Sequence, residues 1–193
     1  MTDVQLDRIA PVHLDVDALE AGVAHIQASP KDHGTLDLVV RRPAVDEREI
    51  LDVAELSLDE GVVGDTWNQR GSRRSEDGGP HPDMQLNIIN ARLSRLISGG
   101  LDEDRALAGD QLHVDLDVSE ANLPPGTRLA IGDAVIEVTD QPHTGCPKFA
   151  ARFGAKALRF VNIGVGKELR LRGINAKVVT PGTIRRGDTI TKV

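Results

Sequence analysis

The chain has 193 residues, 39% of them hydrophobic and 27% charged, a globular balance that excludes a disordered polymer and allows one sizeable core. A net charge of -7 excludes general binding to nucleic acid or anionic membranes, both of which call for a basic surface. No apolar run is long enough to span a membrane, residues 1–10 lack an apolar signal core, and one cysteine cannot close an internal disulfide, so the expected setting is a reducing cytoplasm.

Taken in order, residues 15–21 predict a short helix and residues 23–28 a strand. Residues 29–34, Ser-Pro-Lys-Asp-His-Gly, predict a turn. Residues 35–42 alternate apolar and polar side chains and predict a strand stopped by Pro43, with a second such run at 53–58. A compact glycine-bounded segment, 61–67, opens into a long polar loop at 68–82, where Arg70, Arg73 and Arg74 read as a solvated charge run or as part of a functional lid. A buried strand at 84–89 leads into an amphipathic helix at 91–98, stopped by Gly99-Gly100. Strands follow at 112–117, 128–131 and 134–139, helix at 155–161, and strands at 174–179 and 189–193, separated by Gly and Pro turns. Many short strands with such turns predict a mainly β barrel or sandwich with a few helices.

The stretch 140–154 stands apart. It carries the only cysteine, Cys146, and Phe149, Phe153 and Phe160 lie within or just beyond it, although aromatics make up only 2% of the chain. Pro147 suits the first position of a helix and Gly154 suits its end, which places Cys146 at the N-cap. Free backbone N–H groups and the helix dipole favour an anion there, and the thiolate is the form of cysteine that attacks and ligates. Lys148, His143 and Arg152 add positive charge or proton-transfer capacity. The alternative is a small buried cysteine closing a turn.

The ordered segments resemble the MOSC family, the domain named for the C-terminal part of molybdenum-cofactor sulfurases. The resemblance rests on Gly61–Trp67, Ala108–Leu112, Leu123–Gly132, the run 134–139 leading to Cys146, Arg172–Ala176 and Gly182–Asp188. It implies a closed, mostly β barrel occupying 34–193 as a single domain, with 1–33 as an N-terminal extension. It also implies a molybdenum cofactor (molybdopterin), with Cys146 as metal ligand or sulfur carrier and a redox partner or sulfur donor protein. Two features depart from the pattern: the approach Gln-Pro-His-Thr-Gly to the cysteine, and the absence of a basic residue over 84–90. The chain has no room for an attached desulfurase domain, so no pyridoxal phosphate is expected.

A pterin cofactor carries phosphate, which calls for arginines and backbone donors. Arg170 and Arg172 beside Gly173, and Arg185 and Arg186 beside Gly187, are the candidates, and a solvated strand edge is the alternative for each pair. Lys148 joins them by proximity to the cysteine. Asn175 and Asn122 could bond a pterin edge or simply form turns. His143 reads as a proton shuttle or cation beside the thiolate, or as a loop histidine satisfied by backbone; the six histidines have no zinc-motif spacing. Asp65 and Asp110 each follow a glycine and read as turn caps. Three functions stay open: a molybdenum-cofactor or sulfur-carrying protein, with reduction of N-hydroxylated compounds as one activity; a metal-free thiol enzyme using Cys146 and His143; and a non-catalytic binding barrel.

Overall fold

A computed structural model describes residues 13–72 and 74–193; the N-terminal residues 1–10 and Arg73, both considered above, lie outside the described residues. Alternating apolar residues build the central layer. Strands β1 (Gly34–Arg41), β5 (Leu86–Asn90), β6 (Leu112–Asp115), β7 (Arg128–Ile131), β8 (Ala134–Val138), β9 (Ile174–Thr180) and β11 (Thr189–Lys192) hydrogen-bond in the order β11-β7-β8-β9-β5-β6-β1. Strand β1 then pairs back onto β11, closing a barrel of seven strands. All neighbours are antiparallel except β5 and β6. Strand β2 (Glu49–Leu51) extends β1, and a small sheet is made by β3 (Val53–Ser57), β4 (Gly61–Val62) and β10 (Gly182–Arg185).

The two-residue period of the strands separates two cores. Leu86, Ile88, Leu112, Val114, Ile174 and Ala176 point into the barrel. The residues between them, Asn87, Ile89, His113 and Asn175, face outward. Ile89 there joins a second core with Leu93 and Ile97 of α3 (Ala91–Ser98), Phe149 and Phe153 of α5 (Pro147–Phe153) and Val161 of α6 (Ala155–Asn162). Leu19 of α1 (Val16–Ala21) and Ile26 of α2 (Val23–Gln27) complete that layer. Residues 23–28 are therefore helix and turn rather than strand: Ile26 is carried on a helix against the outer face, so tertiary packing overrides the β-branched composition. Two short helices were also missed, α4 (Asp102–Ala106) and α7 (Val165–Glu168), each too short to show a period.

Between α3 and β6 the outer face is polar. His113 is fully buried on β6, with Nδ1 2.9 Å from the Ser94 hydroxyl, which also accepts from Arg105 Nε at 3.2 Å. Arg105 is fixed in turn by Asp102 and Asp37. Burial, and after it the Arg105 charge, pull His113 down to about 3. The unfolded chain binds this proton near 6.5 and the folded chain does not, so the contribution to stability is present at neutral pH and lost as pH falls from about 6.5 toward 3. The expected loss from this one group is about 1.4 kcal/mol per pH unit across that window. Urea denaturation of wild type and His113→Gln between pH 7 and 4.5 should show a shallower decline in the variant; parallel declines would contradict the assignment.

Candidate functional site

Cys146 occupies the N-cap of α5 with extended backbone (φ -124, ψ 172), and Pro147 takes the first helical position. Its carbonyl accepts from the amides of Phe149 and Ala150, while its side chain caps nothing and is exposed. The buried-cysteine alternative is thereby removed. The helix is anchored by Phe149 and Phe153, 2% and 1% exposed, whose rings lie 5.0 Å apart and tilted by 53°. Burying each ring contributes about 1.5–3 kcal/mol, which holds the N-terminus of α5 in place. Gly154, with φ 92 and ψ 157, ends α5 as its C-cap, its amide donating to the Ala150 carbonyl, and α6 begins at once.

Phe149 also supports a buried arginine. The Arg172 guanidinium lies 5.0 Å over its ring, donates through Nη1 to both oxygens of Asp110 at 2.9 and 2.8 Å, and donates through Nη2 to the Ala108 carbonyl. Asp110 is completely buried; burial raises its carboxyl, and Arg172 then Arg42 oppose that. Arg172 is not the solvated strand-edge residue expected as one reading, because it is 7% exposed. Its Nε has no hydrogen-bond partner.

His143 is drawn into the same place. Its Nδ1 is 3.4 Å from Asp110 Oδ1, and it makes no hydrogen bond. Burial first, then the charges of Arg172, Arg42 and Arg74, hold this imidazole well below its ordinary range, so it is neutral and forms no ion pair with Asp110. Gly173 makes the approach possible. At its φ of +110 a Cβ would stand 2.3 Å from the Ile88 carbonyl and 3.0 Å from His143 Nδ1, so only glycine fits.

Arg172, His143, Gly173 and Arg170 line a cavity of about 580 Å³, together with Gln141 and Lys167. Arg170 is held at a left-handed φ of 49, bonded to the Leu123 carbonyl and paired with Glu120. Thr144 lines the cavity and Gly145 donates to Asn162, also on its wall, so the chain leaves this cavity and reaches Cys146 within two residues.

A second buried pair lies on the other side of an amide ladder. Arg42 donates to both Asp65 oxygens at 2.8 Å, and its Nη1 reaches Asn87 Oδ1 and the Gly109 carbonyl. Asn87 stands opposite Asn175 in the β5–β9 register and donates to it at 2.6 Å; Asn175 donates to the Gln141 carbonyl. Asn175 is thus a fully buried positioning residue for the loop that carries His143 and Cys146. Asp65 and Asp110 do more than cap turns: each is the buried partner of an arginine.

The other candidates lie elsewhere. Lys148 is exposed and paired with Asp46, and Arg185 lies on β10 in the small sheet, away from the cavity-lining residues. Arg74, expected in a charge run, reaches the Pro142 carbonyl at 3.1 Å, and Arg70 bonds Thr66 at 2.6 Å. The residues missed outright are Arg42, Asn87 and Gln141, which lack a distinctive motif. The repeated Gly-Asp step at 64–65 and 109–110 was the available signal.

Removing one partner from a buried ion pair strands the other charge and costs about 3–5 kcal/mol. Arg172→Met should therefore lower stability by that order in chemical denaturation, and Asp110→Asn in the same chain should restore part of it. A near-neutral single variant would contradict the pairing.

Against this geometry, residues 65–191 match the family model described as the MOSC domain, well over half of the chain. A search of curated proteins finds no significant match. Among solved structures, the YUAD protein from Bacillus subtilis is similar with TM-score 0.56 and 17% identity, over 81% of this chain and 93% of that one. YiiM from Escherichia coli is similar with TM-score 0.53 and 18% identity, over 82% of this chain and 69% of that one. At such identities the neighbours show the fold alone, a closed barrel with short helices. The family match goes further: this chain belongs to the MOSC domain family.

Proposed function

We propose that this protein binds a molybdenum cofactor through Cys146, either as a metal ligand in reduction of N-hydroxylated compounds or as a sulfur-carrying thiol. The observation that carries this reading is an exposed cysteine two residues beyond a 580 Å³ cavity lined by Arg170, Arg172 and Lys167. A soft thiolate suits molybdenum. Among the described residues no three His, Cys, Asp or Glu side chains gather as metal ligands, so Cys146 fits a metal that arrives with its own organic ligands. Arg170, Arg172 and Lys167 suit its anionic and polar edges.

When bound, such a cofactor supplies two-electron redox chemistry or sulfur exchange at the metal. The protein's part is binding and orientation. Cys146 presents its sulfur from a rigid helix start, while Asn175 and Gln141 hold the preceding loop. His143, kept neutral, offers a hydrogen bond without adding charge. A reductant or sulfur donor protein then completes the reaction. A metal-free Cys146–His143 enzyme has less support, because His143 faces Asp110 and is a poor base in that setting.

Protein from a host that makes the cofactor should contain molybdenum and releasable pterin by elemental analysis and fluorescence. Cys146→Ser should keep its fold and retain far less metal. Absence of molybdenum from wild type, or equal content in the variant, would overturn the reading.

A further inference from the structure

Beyond the cavity behind Arg172, a second group of cations converges at Gly109. At its φ of +85 the glycine leaves a cradle: a Cβ built there would stand 3.5 Å from Arg48 Nη2 and 3.9 Å from Arg152 Nη1. Its carbonyl already accepts from Arg42 Nη1. Arg70, from the loop after the 3-10 turn Thr66–Gln69, lines a neighbouring cleft of about 180 Å³ with Arg42, Trp67 and Ser72. Lys148, on the same helix as Arg152, stands beside them through a shared carboxylate, Asp46.

The local charge does not balance. Four arginines and Lys148 face two carboxylates, in a chain whose net charge is -7. Asp65 is taken up by the Arg42 fork. Asp46 is 60% exposed, sits at a left-handed φ of 62, and is divided between Lys148 and Arg152, so water screens most of its attraction. Arg48 Nε is buried with no hydrogen-bond partner. Burial, then Arg152, Arg42 and Arg70, pull the Arg48 guanidinium down to about 10, the direction expected where like charges are gathered without a counter-ion.

We propose that Arg48 and Arg152 at Gly109, with Arg70 from the neighbouring cleft, form a binding site for the oxyanion of a small molecule, a phosphate monoester or a carboxylate. Guanidinium forks match such groups in pairs, and a clustered set repels itself until an anion enters. Asp46 acts as an internal competitor, holding Arg152 in the unliganded protein. None of the three arginines lines the 580 Å³ cavity, so this site is separate from the donors that face it.

The test is titration of purified cofactor-free protein with sodium phosphate, and separately with sodium acetate, at ionic strength held constant with chloride. Binding is read by calorimetry and by thermal shift. A saturable phosphate isotherm is expected, weakened at least tenfold in Arg48→Gln and in Arg152→Gln and tightened in Asp46→Asn. Tighter phosphate than acetate assigns a phosphate-bearing ligand, and the reverse order assigns a carboxylate; either supports the site. Cys146→Ser should bind phosphate as wild type does, which separates this result from any failure of the molybdenum reading. Shifts that follow ionic strength alone, or equal binding in folded Arg48→Gln and Arg152→Gln, would overturn the proposal. Asp46→Asn keeps the test decisive if an arginine variant does not fold.

Discussion

The site depends first on one buried interaction, the fork between Arg172 and Asp110. Asp110 comes just before β6, Arg172 just before β9, and the aromatic ring under Arg172 belongs to the helix that Cys146 begins. One charge pair therefore ties two barrel strands to the cysteine helix. A charged pair taken out of water rarely adds net stability, but it is costly to break and strict in geometry. That suits a site whose nearby histidine must stay neutral and whose glycine, Gly173, must admit it.

The second pair, Arg42 with Asp65, repeats the device across the amide ladder of Asn87 and Asn175. Both aspartates follow a glycine, and both oxygens of each accept from its arginine. Among the described residues, positive charge gathers around Gly109, where the exposed Asp46 is shared between Lys148 and Arg152. An acidic protein thus carries a basic pocket. The contrast favours capture of a small anion over attachment to a polyanion surface.

Much of the barrel was legible because its strands alternate cleanly and its turns carry Gly and Pro. Helix α3 was read with its observed bounds, since Asn90 caps it and Gly99 stops it. The cysteine helix was legible for a similar reason: Pro147 and Gly154 punctuate it. Residues 23–28 misled because β-branched composition speaks for a strand while an apolar face can equally lie on a helix. The site itself was only half visible. Cys146, His143, Arg172 and Asn175 could be named, but Asp110, the partner of Arg172, reads as a turn cap, and Asn87 and Arg42 look like ordinary strand residues. They become functional only when barrel closure brings positions far apart in sequence into one hydrogen-bond network, which no local pattern encodes. Arg185 and Lys148 show the converse: being near a motif in sequence did not place them at the cavity.

In the proposed metal-ligand role, Cys146 Sγ is the protein atom that touches molybdenum, and the barrel and its buried pairs serve to present it. Molybdenum K-edge X-ray absorption on the loaded protein tests this most directly. Wild type should show one more sulfur scatterer in the first coordination shell than Cys146→Ser reconstituted with the same cofactor. An identical sulfur shell in the two proteins would contradict the central claim.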